Sequence, residues 1–272
     1  MTTYNTTVWQ KSDGWSNGGM FQTGWRADHI SFANSVMTLQ LDNSPGCSTY
    51  STTCSKQPVA SGEYKSINMV SYGDITFRAK AAKASGVITG LFTYTGPSDS
   101  QPHDEIDIEI IGNNTTQVQF NYFVAGVGNH EKVVALGFDA SQAMHDYTIK
   151  WLPSSISWYV DGVLKHTVNA GAGVTLPSNP QHIFANLWAA TGVDSWSGAF
   201  TYSTPLTAQV DAIHYSPAVG STTTTTPAAT PAAKSGGCIA ISSADSPYSA
   251  ATLWLLMVIV GGVLLQRRGR RS

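Results

Sequence analysis

The chain has 272 residues, a length that suits one large domain or two small ones, and its 42% apolar content is enough for a substantial core. Charged residues make up only 12% and the net charge is −2, which excludes the basic face or stripe of a nucleic-acid binder. Eight Trp and eleven Tyr in so sparsely charged a chain suit a neutral polar ligand such as a sugar, although an all-β fold alone also favours aromatics.

The opening MTTYNTTVWQ has neither an apolar h-region nor a basic n-region, so it is not a signal peptide. Sequons of the form N-x-Ser/Thr stand at Asn5, Asn113 and Asn114; they matter only in an exported glycoprotein. Cys47 and Cys54 lie in a Ser/Thr-rich stretch and can pair locally if the compartment oxidises, while Cys238 makes the count odd. Asp74–Lys80 alternates apolar and polar residues, which predicts a half-buried strand. Val118–Tyr122 alternates in the same way. Ser157–Val160, Asp161-Gly162 and Val163–His166 read as a hairpin closed by a type I′ turn. Short strands separated by Gly, Asn, Asp and Pro, with almost no helix, predict an all-β jelly-roll β-sandwich with a concave face for a long ligand.

The globular part is expected to span residues 1–217 as a monomer. From residue 218 to 247 the chain turns to a Thr/Pro/Ala-rich linker, STTTTTPAATPAAKSGG, which cannot bury a core. Residues 248–266 contain an uncharged run, Ala250–Leu265, that reads as a single hydrophobic helix of roughly 24–27 Å, the membrane anchor. The basic tail 267–272 would stay cytoplasmic and leave the domain on the outer face of the plasma membrane or in the cell wall. A GPI signal cleaved near Ser235–Gly237 is the alternative, although such signals usually end in their apolar tail and this one ends in arginines. An outward-facing domain without a leader implies that a signal peptide, and with it a first strand, is missing from this chain.

The informative segment is His103-Asp104-Glu105-Ile106-Asp107-Ile108-Glu109-Ile110-Ile111-Gly112. As a strand it puts Glu105, Asp107 and Glu109 on one face and Ile106, Ile108 and Ile110 on the other. Three stacked carboxylates repel one another, so the row destabilises the strand unless it has a use. Two carboxyl groups across a glycosidic bond are the apparatus of its hydrolysis: one attacks or activates water, the other donates a proton. Neighbouring negative charge raises the acid's pKa, as that role requires. A metal site or a solvated acidic edge is the competing reading; the isoleucine face argues against the edge, and the lack of ligand spacing against the metal. His103 is in phase with the trio. Spacing leaves retention or inversion open.

Glu105-Ile106-Asp107-Ile108-Glu109 resembles the active-site strand of family 16 glycoside hydrolases. Trp9–Gly14, Phe92–Pro97, Val118–Tyr122, His130–Val133, Trp158–Gly162 and Asn186–Trp188 are similar to the bacterial-type lichenases, the endo-β-1,3-1,4-glucanases of that family. The resemblance implies a jelly roll and a retaining double displacement, with Glu105 as nucleophile, Glu109 as acid/base and Asp107 assisting. It implies no catalytic cofactor and a structural calcium at Asp211, part of whose ligand set is expected to be missing at the N-terminus. The cleft residues it implies are Glu63, Phe92, Tyr94, Asn121, Glu131, Asn186, Trp188 and Trp196. The chain departs from the pattern at Gln22 (Asn expected), Lys65 (Arg), Phe123 (Tyr) and His103, where lichenases carry Trp. Thr23 and Ser61 occupy the positions of the usual disulfide. The His-Asp-Glu-Ile-Asp run is similar to the plant xyloglucan-active branch, many of whose members transfer rather than hydrolyse. A cell-wall transglycosylase and a catalytically silent glucan-binding lectin are therefore the alternative functions.

Overall fold

The computed structural model describes residues 4–46 and 57–218. The expected Cys47–Cys54 bridge, the linker, the hydrophobic helix and the basic tail lie outside the described residues. Among the described residues no helix is long and apolar enough to cross a membrane.

Two sheets make the domain. The first has seven strands in the order β1 (Trp9–Lys11), β6 (Glu63–Ser66), β15 (His182–Ala189), β8 (Val87–Thr95), β9 (Asp104–Ile111), β10 (Gln117–Phe123) and β11 (Lys132–Ala135). The second has nine strands. Along its path run β14 (Val163–Asn169), β13 (Ser155–Val160), β12 (His145–Leu152), β7 (Gly73–Lys80), β16 (Leu206–Pro217), β4 (Val36–Asp42), β5 (Val59–Ser61) and β2 (Thr23–Trp25), with β3 (Ile30–Ala33) paired to β4. Among the described residues the one α-helix is Asp194–Ser197. The all-β jelly-roll expectation is thus met.

The local signals explain these elements. β7 buries every second residue, as its alternation demands. The β13–β14 hairpin pairs Val160 with Val163, and Asp161 and Gly162 take φ of 50° and 74°, the positive values a type I′ turn needs. One strand differs from its half-buried reading. In β10 the polar Gln119 and Asn121 are buried along with Val118, Phe120 and Tyr122. One face of this strand lies on the core and the other lines a recess on the open side of the sheet.

The core lies between the sheets. Ile106, Ile108 and Ile110 of β9 are fully buried in it with Leu91, Phe120, Phe77, Tyr147, Ile149 and Trp158. Trp158, on the opposite sheet, stacks on Phe120 and donates its indole N–H to the Asp107 carbonyl at 3.0 Å. That bond pins the backbone beneath the middle carboxylate from behind. Trp158→Phe removes this bond and the packing of the larger indole, and is expected to cost about 1–2 kcal/mol. For a domain of this size that is roughly 3–6 °C of melting temperature, measurable by calorimetry.

Candidate active site

β9 is central, and its two neighbours fix what surrounds the carboxylates. Directly opposed residues of antiparallel strands share a face. Three rows therefore cross the sheet: Tyr94–Glu105–Phe123, Phe92–Asp107–Asn121 and Gly90–Glu109–Gln119. β15 and β6 extend them, with His182 beside Tyr94, Phe184 beside Phe92, Asn186 beside Gly90, Lys65 beside Phe184 and Glu63 beside Asn186. Although this face points away from the sandwich core, Glu63, Asp107, Asn121, Asn186 and Trp188 on it are all buried. Such burial makes them the floor of a cleft.

Burial and crowding set the protonation of the acids. The Asp107 carboxyl is held well above the usual range, first by burial, then by the charges of Glu105 and Glu109 and a hydrogen bond with Glu105. Glu109 is pushed up to about 8 by burial and by the Glu105 charge. Gln119 works against that shift, donating its Nε2 to Glu109 Oε2 at 2.9 Å. Glu63 is also raised, chiefly by burial. It accepts from Ser12 Oγ at 2.7 Å and Asn186 Nδ2 at 3.1 Å. Burial and the Glu105 charge push the Tyr94 hydroxyl up to about 12.

The other expected cleft residues fall around this floor. Phe92 stacks on Phe184 at 4.9 Å, and the Lys65 ammonium lies 5.4 Å over the Phe184 ring and 3.9 Å from Asp99. Asn121 Oδ1 accepts from the His130 backbone N–H at 3.2 Å, tying down the loop that carries Glu131. Glu131 adds negative charge felt at both Asp107 and Glu109. Trp188 stacks on Phe21 at 4.0 Å and leans on Trp196, whose indole donates to Gln119 Oε1 at 3.1 Å. Gln22 turns to the Ala190 carbonyl. His103 contacts Glu105 at 2.6 Å and stacks on Phe123.

Asp211 lies at the β-bulge of β16, with the Arg78 guanidinium 3.4 Å from its carboxylate. Calcium takes six to eight oxygens, and among the described residues no group of three or more acidic, His or Cys side chains gathers to hold a metal. The Asp211 carboxylate is engaged by Arg78, and no chemistry is routed through the ion.

Four participants escaped sequence reasoning. Gln119 and Phe184 each stand two residues before a recognised cleft asparagine, so strand periodicity carried the signal. Gly90 has no such signal: a Cβ there would sit 2.5 Å from Asn186 Oδ1, so glycine makes room for that amide. Asp104 is buried at the start of β9 and accepts from the backbone N–H groups of Ala125, Ser178 and Asn179 and from Asn179 Nδ2, at 2.8–3.1 Å. It fastens two loops to β9.

Comparison with known proteins agrees with this geometry. The family model for Glycosyl hydrolases family 16 matches residues 17–205. A beta-glucanase of Paenibacillus polymyxa is 46% identical over 213 residues, covering 78% of this chain and 84% of that protein. The beta-glucanase of Bacillus subtilis (strain 168) is 46% identical over 214 residues, covering 78% of this chain and 83% of its own. The solved Bacillus licheniformis beta-glucanase superposes with a TM-score of 0.72 at 45% identity, over 79% of this chain and 95% of that one. A row of three carboxylates on the open face of a jelly roll, the middle one buried, and a match over more than half the sequence lead to one conclusion: the chain belongs to glycosyl hydrolases family 16.

Proposed function

We propose that the chain is a retaining endo-β-glucanase that cleaves β-1,3-1,4-glucan or β-1,3-glucan, with Glu105 as nucleophile and Glu109 as acid/base. The observation that carries the reading is the uneven protonation of the trio. Glu109, pushed up to about 8, keeps its proton at neutral pH and can deliver it to the leaving oxygen. Glu105 attacks the anomeric carbon, and Asp107, protonated beside it, steadies its carboxylate through their shared hydrogen bond. Once Glu105 is an ester its charge is gone. One cause of the Glu109 shift goes with it, so Glu109 can next act as base toward water.

The floor suits a sugar chain. Phe92 offers apolar surface in the cleft, backed by the buried rings of Phe184 and Trp188. The names of the relatives support a glucan substrate. Placement on the outer face of the plasma membrane or in the cell wall, through a C-terminal tether, is part of the proposal and rests on sequence alone.

The test is product analysis by mass spectrometry. The protein is incubated with mixed-linkage glucan, laminarin and xyloglucan, with and without a labelled oligosaccharide acceptor. Short unlabelled products from mixed-linkage glucan are the expected result. Label carried into longer chains would make the protein a transglycosylase, and a complete lack of products would leave only a glucan-binding role.

A further inference from the structure

We infer that His103 is a positioning residue for Glu105: it fixes one carboxylate oxygen and stabilises the charge that returns to Glu105 when the glycosyl-enzyme is broken. The inference rests on the proposed retaining mechanism. His103 Nε2 lies 2.6 Å from Glu105 Oε2. An ionised carboxylate only accepts, so this contact requires a ring proton on Nε2 pointing at it. Charge-assisted contacts of this length are among the stronger hydrogen bonds.

The imidazole is itself held in place. Phe123 stacks against it with ring centroids 5.0 Å apart and planes at 17°, and Tyr94 meets it edge-on at 5.1 Å. Both rings come from the strands that flank β9, at the positions directly opposite Glu105. The clamp and the carboxylate therefore belong to one row of the sheet. With Oε2 held by His103, attack on the sugar is assigned to Oε1.

This has different consequences for the two chemical steps. In the first, the Oε1–C1 bond forms, the glycosidic C1–O bond breaks, and the Glu109 proton goes to the leaving oxygen. Here a donor on Oε2 fixes the approach of the nucleophile but draws density from it. In the second, water's oxygen bonds C1, a water proton passes to Glu109, and the Oε1–C1 electron pair returns to Glu105. The carboxylate is now the leaving group, and the donor stabilises the charge it recovers. His103 thus favours breakdown of the covalent intermediate.

The experiment uses the full chain with a dinitrophenyl β-oligoglucoside, whose good leaving group makes breakdown of the intermediate rate-limiting. His103→Phe keeps an aromatic ring between Tyr94 and Phe123 but removes the donor. It is expected to lower kcat about ten- to hundredfold, the worth of a hydrogen bond to a charged group. KM should fall in parallel, and at substrate below the wild-type KM intact-mass spectrometry should show a larger steady-state fraction of glycosyl-enzyme. His103→Gln, which restores a donor, should recover most of the rate. A His103→Phe enzyme with unchanged kcat overturns the inference, and so does one in which only KM rises, because His103 would then touch substrate instead. A wild-type protein that forms no glycosyl-enzyme would overturn the proposed function and this inference together.

Discussion

Glu105→Ala is expected to lose turnover of mixed-linkage glucan by on the order of 10⁴-fold or more, as removal of a covalent nucleophile does. The loss should be chemical, with glucan binding and melting behaviour retained. Azide then separates the roles of the two glutamates. In Glu105→Ala the space vacated by the carboxylate lies on the face that attacks C1. Azide entering there displaces the leaving group once and yields an α-glycosyl azide. In Glu109→Ala the nucleophile survives, so an activated aryl glycoside still forms the covalent intermediate. Azide then replaces water in the second displacement, two inversions occur, and the product is a β-glycosyl azide. Nuclear magnetic resonance of the anomeric proton distinguishes the products. If the pattern were reversed, the roles of Glu105 and Glu109 would have to be exchanged. If Glu105→Ala kept substantial activity without azide, neither assignment would stand.

How far this site could be read from sequence depended on the range of the forces involved. The phase of Glu105, Asp107 and Glu109 against Ile106, Ile108 and Ile110 is a property of one strand, so period-two alternation exposed it. The Asp161-Gly162 turn is equally local, because its two positive φ angles follow from residue type. The rows across the sheet are not local. Nothing in β9 announces that Phe92 and Asn121 flank Asp107, or that Trp158 reaches through the core to the Asp107 carbonyl. Asp104 looked like one more acid in an acidic run. Its burial is understandable only once Ala125, Ser178 and Asn179 bring their N–H groups to it from far along the chain. Strand pairing across such distances depends on the whole set of buried residues, and only the resemblance to a known family could supply it beforehand.

The pH behaviour of Glu109 is the second large effect, and both activity and stability should show it. A general acid works only while protonated, and kcat/KM reports the free enzyme. With Glu109 pushed up to about 8, kcat/KM should fall as pH rises through about 8. Glu109→Gln should abolish this limb while sparing formation of the intermediate from activated aryl glycosides. For stability the sign runs the same way. The folded pKa is raised above the ordinary 4.5, so the native state binds the proton more tightly than the unfolded chain does. The stability this contributes is fully present below about pH 4.5 and is lost as pH rises through about 8. At pH 9 wild type must bury the charge beside Glu105, and Glu109→Gln need not. The variant should then melt about 5–10 °C higher, a difference on the order of a few kcal/mol, and the gap should close toward pH 4. A gap that is equal at both pH values would mean that Gln simply packs better. Because the Glu105 charge is a named cause of the shift, trapping Glu105 as a covalent glycosyl ester should move the Glu109 titration downward in carboxyl-resolved magnetic resonance. An unmoved titration would show that burial and the Glu131 charge hold Glu109 up without Glu105. The proton donor of the first step could then not become the base of the second by loss of its neighbour's charge.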